Sequence, residues 1–135
     1  ISAEKPYEGP SYPYPILMTL ADQNTDEVYS LTRALVEEYA NYSAADPAAK
    51  GWAINNQIFD WVVPYHDGAI AYFKEAGKWS AQHQAHNDGL VNRQKILVDA
   101  WAGMDMKLES AAFKTKWMAT RAAALKKAGL DPIWN

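Results

Sequence analysis

One stretch constrains this chain more than any other: Val63-Pro64-Tyr65-His66-Asp67-Gly68-Ala69-Ile70-Ala71-Tyr72-Phe73-Lys74-Glu75. It reads as a buried segment halted at Pro64, a turn through Tyr65 and His66, and a helix from Asp67. The Asp67 carboxylate is placed to cap free backbone N–H groups. Gly68 and Ala69 keep the helix start slim, so that another backbone can lie close against it. Ile70 and Phe73, with Tyr72 beside them, then face a core, and Gly77 is a natural stop.

The rest of the chain is punctuated as clearly. Pro6, Pro10, Pro13 and Pro15 alternate with Tyr7, Tyr12 and Tyr14 over residues 1–15. Prolines at that density remove backbone donors and exclude a helix or a central strand, so this is an extended arm. Residues 16–135 are expected to form a single, mostly helical domain. Ile16, Leu17, Met18, Thr19 and Leu20, bounded by Pro15 and Asp22, read as a buried strand.

Asn24 opens a helix, with Glu27 three residues on to complete a capping box. Val28, Leu31, Leu35, Tyr39 and Tyr42 then draw one apolar stripe. Asp46-Pro47 starts a further short helix, and residues 54–63 read equally as helix or strand. Ser80 caps a long helix running to about Ala102, with Leu90, Leu97 and Trp101 on one face and Val91 and Val98 beside them. A last helix, from about Glu109 to Ala128, carries Phe113, Trp117, Met118 and Leu125 and ends at Gly129. The fold class is mainly α: four to five helices with one or two short strands.

Several function classes drop out. A net charge of −3 gives no electrostatic footprint for nucleic acid or an anionic membrane. No apolar run approaches the roughly 20 residues needed to span a bilayer. With no cysteine, disulfides and thiolate chemistry are excluded. The serines sit in no nucleophile elbow, and there is no glycine-rich phosphate loop, so no catalytic residue is assigned. His83 and His86 share a helix face but lack a third ligand at a useful spacing; polar surface contacts explain them better than a metal. His66 is either a turn histidine fixed by a hydrogen bond or a ligand contact. Tyr7, Tyr12 and Tyr14 cannot build a core from a proline-rich arm; they line a cleft or anchor the arm on a partner chain.

Residues 64–75 resemble the P-x-H-x-G-A-I-x-Y-Y/F-x-E segment of TAXI-type solute receptors, the periplasmic binding subunits of TRAP transporters. Tyr7-Glu8-Gly9-Pro10 followed by the apolar run at 16–20 is similar to that family's tyrosine–glycine loop and strand. Val28-Tyr29-Ser30-Leu31-Thr32-Arg33-Ala34-Leu35 is similar to its V-Y-x-L-T-K-A-L helix. Trp79, residues 84–88, Arg93-Gln94, Ala100-Trp101, Trp117-Met118 and residues 121–125 match the extended tail of one branch.

The resemblance implies the later part of an α/β periplasmic receptor and no cofactor. Such a receptor captures a small organic anion in a cleft closing between two lobes, then delivers it to TRAP membrane subunits. A complementary N-terminal receptor part would have to supply the other lobe. Tyr7 and Gly9 are the first ligand positions carried over, with Tyr12, Tyr14 and His66 as further candidates. After Gly9 the sequence departs from the family, prolines and tyrosines replacing polar and acidic residues. The alternative is a receptor-derived accessory subunit of a larger assembly that binds no solute, and then Tyr12, Tyr14, Trp79 and Trp134 are interface positions.

Overall fold

The computed structural model describes residues 2, 4–7 and 14–133. It is mainly helical, as expected, and contacts divide it into two compact units. One comprises the residues up to Phe59 together with Tyr65–Trp79; the other comprises Asp60–Pro64 and the residues from Ser80 onward.

In the first unit, α1 (Thr25–Glu37) begins where Asn24 Oδ1 accepts from the backbone N–H groups of Asp26 at 2.9 Å and Glu27 at 3.1 Å. The expected capping box is only half made, because the Glu27 carboxylate accepts from Gln23 Nε2 at 2.6 Å. After α1 comes the single turn α2 (Tyr39–Tyr42). The Tyr42 hydroxyl there donates to the Leu35 carbonyl at 2.6 Å, and burial pushes that phenol's pKa up. Asp46 then caps the 3-10 turn Pro47–Trp52, accepting from Ala48 N–H at 2.7 Å. The ambiguous segment 54–63 contains one further 3-10 turn, Ile54–Asn56, and is otherwise irregular.

The helix α3 (Asp67–Glu75) packs against α1 and carries the core of this unit. Ile70 and Phe73 are each only 4% exposed and Tyr72 is buried beside them. Gly77, at φ +67°, lets the chain turn back so that Lys78 N–H reaches the Phe73 carbonyl at 2.8 Å, the Schellman closure its sequence predicts.

Two expectations fail in the extended segments. Residues 16–20 are not a buried strand: they make no strand pairing among the described residues, and Met18 and Leu20 are 72% and 73% exposed. The stretch before Pro64 is not buried either, since Val62 and Val63 are exposed. A strand is stable only beside another strand, and the described residues offer no sheet, only an isolated bridge between Ser2 and Lys5.

The second unit is built on α4 (Ala81–Ala102) and α5 (Ser110–Lys127), which pack on each other. Ser80 caps α4 in a reciprocal box: its hydroxyl accepts from His83 N–H, and His83 Nδ1 accepts from Ser80 N–H, both at 3.1 Å. Trp101 meets Phe113 and Trp117 edge-on, with ring centroids 5.3 and 4.9 Å apart. Leu125 is fully enclosed (0% exposed), near the buried Ala122. Gly129, at φ +73°, closes α5 with the same motif as α3, Leu130 N–H donating to the Leu125 carbonyl at 2.9 Å. Arg93 and the buried Arg121 then hold the tail, donating to the carbonyls of Asp131 and Pro132 at 2.7 and 2.8 Å.

Candidate functional site

The corner where α3 begins is the most tightly specified part of the first unit. His66, not Asp67, is the N-cap: its Nδ1 accepts from Gly68 N–H at 3.0 Å. That bond leaves the ring proton on Nε2, which donates to the Gln23 carbonyl at 3.1 Å. Both ring nitrogens are thus engaged, one in starting α3 and the other in tying it to the residues before α1. Asp67 becomes the first helical residue, where its charge still favours the positive end of the helix. His66, at φ −70° and ψ 145°, has the extended backbone conformation an N-cap requires, and its Nδ1 reaches Gly68 N–H, so the helix starts one residue after it, at Asp67.

Gly68 does what its sequence context predicts. A Cβ there would lie 2.3 Å from the Thr25 carbonyl oxygen and 2.8 Å from Tyr29 N, so only glycine lets α1 settle against the start of α3. Gly51 plays a similar part, since a Cβ on it would come within 2.2 Å of the Tyr14 carbonyl oxygen and 2.6 Å of Pro15. Sequence reasoning missed Gly51; the only signal was a glycine inside a short capped turn.

Further along α3, Phe59, Tyr65, Phe73 and Trp79 form a ring cluster with centroid separations of 4.9 to 5.8 Å. Tyr65 is anchored in it by donating to the Ile58 carbonyl at 3.0 Å. Trp79 lies half-buried in this cluster, its backbone N–H donating to the Phe73 carbonyl at 3.1 Å. At the far end of α3, the Tyr29 hydroxyl donates to the Glu75 carboxylate at 2.5 Å. That bond holds the Tyr29 phenol protonated and raises its pKa, with desolvation adding in the same direction. No sequence signal could have paired residues 46 apart. Burial likewise raises the pKa of Tyr72, whose ring meets Tyr29 edge-on at 5.9 Å.

The remaining candidates lie in different settings. Tyr7 and Tyr14 are 72% and 69% exposed. Gly9, Tyr12 and Trp134 lie outside the described residues. His83 is part of the α4 cap, and His86 Nε2–H donates to the Trp61 carbonyl at 2.6 Å. Among the described residues no three His, Cys, Asp or Glu side chains are grouped to hold a metal ion.

Chemically, the corner positions and braces: each His66 nitrogen has a backbone partner. Two open grooves run along helices of the second unit. One of about 490 Å³ includes Met118, Ala122 and Lys126; one of about 400 Å³ includes Ile96, Asp99 and Lys127. No sequence-predicted site residue lines either.

No helix is long and apolar enough to cross a membrane among the described residues. No curated protein and no solved structure matches the chain. A family model does: residues 14–77, from Tyr14 through the His66–Gly68 corner to the glycine that ends α3, are similar to the NMT1-like family, a family of the periplasmic binding-protein type.

Proposed function

We propose that this chain is part of a periplasmic solute-binding receptor that captures a small organic anion for a TRAP-type transporter of the TAXI kind. The observation that carries the reading is the coincidence of two boundaries. The stretch similar to a binding-protein family spans the α1–α3 pairing, from the Tyr14–Gly51 contact to Gly77. In this reading the braced corner is a rigid wall, and Tyr7 and Tyr14 present phenol donors to a carboxylate. His66 serves the site by fixing that wall. Its partners are a complementary N-terminal receptor part and the membrane subunits that receive the solute. Ligand-driven closure is then a shift of population toward the state that binds better, with no chemistry on the ligand.

The test is a titration of tryptophan fluorescence with acetate, pyruvate, succinate and glutamate, on the protein isolated with whatever polypeptides accompany it. A saturable response to at least one, weakened by Tyr14→Ala, is expected. No response to any of the four, from a folded sample, would overturn the reading.

A second reading, an accessory subunit of a larger assembly that binds no solute, is favoured by the exposed apolar segment at 16–20. A stoichiometric complex without carboxylate binding would select it.

A further inference from the structure

We propose that Glu75 and Tyr72, beside Tyr29 on the facing helix, form a binding site for the primary ammonium group of a small organic amine. The proposal goes beyond the receptor reading and does not rest on it. Helical spacing builds the place. Tyr29, Arg33 and Glu37 recur at every fourth residue along α1, and Tyr72 and Glu75 are three apart on α3. The two helices pack on each other, and the rings of Tyr29 and Tyr72 meet edge-on at 5.9 Å.

One negative charge is left over here. Arg33 Nε donates to both Glu37 oxygens, at 2.9 and 3.0 Å, so those two charges answer each other. Glu75 has no such partner: among the described residues no Lys, Arg or His nitrogen lies within 4.0 Å of its carboxylate. Lys78, one turn along, is engaged elsewhere, its Nζ donating to Asn55 at 3.0 Å. Of the two Glu75 oxygens, Oε2 accepts from the Tyr29 hydroxyl at 2.5 Å, which leaves Oε1 open.

Tyr72 points to the same ligand. It is only 5% exposed, yet its hydroxyl has no hydrogen-bond partner among the described residues. No side-chain oxygen shut off from water lacks a partner among them, so this hydroxyl is a tip that opens to solvent. It opens beside the charged cluster. Burial above all holds the pKa of this phenol up, and Glu37, Arg33 and Glu75 all act on it. A neutral phenol oxygen and an unpaired carboxylate oxygen, both without a donor, make a site for a donor that carries positive charge.

The open acceptors select among cations. A guanidinium binds best to both oxygens of a carboxylate, and Tyr29 already holds one of them. Calcium takes about six or more oxygens, several from carboxylates, and one open carboxylate oxygen is too few. A quaternary ammonium has no N–H to give. A primary ammonium has donors for Glu75 Oε1 and the Tyr72 oxygen with one left for water. The two tyrosine rings offer its alkyl stem an apolar surface.

The experiment is an NMR titration of the full chain with n-butylammonium chloride at constant ionic strength, following the rings of Tyr29 and Tyr72 and the side chain of Glu75. Saturable shifts at these residues are expected. Glu75→Gln is expected to weaken binding about tenfold or more, and Tyr72→Phe about threefold or more. Glu109→Gln, the same loss of charge at the start of α5, is expected to leave binding unchanged. Tetramethylammonium is expected to bind about tenfold more weakly or worse. Amide exchange in α1 and α3 shows which variants are folded, and either folded site variant decides. Shifts that never saturate overturn the proposal, as does a folded Glu75→Gln or Tyr72→Phe that binds like the parent. Equal binding of tetramethylammonium overturns it too. Butylammonium binding with no response to the four carboxylates keeps this site and sinks the receptor reading. Carboxylate binding without butylammonium binding does the reverse.

Discussion

The two helix pairs of this protein reach the same end by opposite means. In the first unit, α1 and α3 are separated in sequence by α2, two 3-10 turns and irregular chain, and they approach until backbone meets backbone at Gly68. In the second, α4 and α5 follow one another directly and are spaced by large side chains, Trp101, Phe113, Trp117 and the enclosed Leu125. The first pairing depends on the absence of a side chain and on polar ties, His66 to Gln23 and Tyr29 to Glu75. The second depends on how much apolar volume is present. Close backbone approach tolerates almost no added volume, whereas a side-chain interface fails mainly by losing it.

Substitutions can set these two modes against each other. Leu125→Ala should have the largest effect, destabilising the second unit by about 2–5 kcal/mol because an enclosed leucine leaves a cavity. Amide exchange in α4 and α5 reads it, and α1 and α3 should be spared. Gly68→Ala should cost the first unit about 1–3 kcal/mol, the clash with the Thr25 carbonyl outweighing alanine's better helix propensity. If α1 and α3 exchange as slowly in that variant as in the parent, backbone contact is not what holds them.

His66→Ala removes a cap and a tie and should cost about 1–2 kcal/mol, read by faster exchange at Gly68 and Ala69. Gly89→Ala is the mirror of the glycine test. It lies in α4 with nothing within 4 Å of a new Cβ, so stability should rise by about 1 kcal/mol.

The Tyr29–Glu75 bond gives the smallest and most pH-specific effect. The folded-state pKa of Tyr29 is raised, so its contribution is complete below the ordinary tyrosine value of about 10 and is lost as pH rises through the folded value. Tyr29→Phe should therefore be less stable than the parent at neutral pH and indistinguishable from it in strong alkali. A stability difference that persists unchanged across that range would assign the effect to packing.

These contrasts also separate what could be read in advance from what could not. The glycine at 68 was legible, because a Gly-Ala pair at a helix start has few uses other than close approach. The cap next to it was not: Asp67 is the better capping residue by type, but the extended backbone at His66 places the N-cap one position earlier. His83 shows the same limit. Its spacing from His86 suggested a shared face, while its ring is occupied in the Ser80 box. Of the candidate ligand positions, the sequence could name Tyr7, Tyr14 and His66 but not their settings, since exposure depends on which other elements come to lie beside them.

By itself, then, the sequence determined the helices and their ends: Asn24, Asp46-Pro47 and Ser80 as starts, Gly77 and Gly129 as stops. Those signals act within a few residues, through caps, left-handed glycines and missing donors, and need no knowledge of the fold. Only the tertiary structure decided which apolar runs are covered. Ile70 and Phe73 are buried because α3 meets α1 and the aromatic cluster. Residues 16–20, equally apolar, stay in water because burial of a strand requires a neighbouring strand for its backbone, and the described residues provide none.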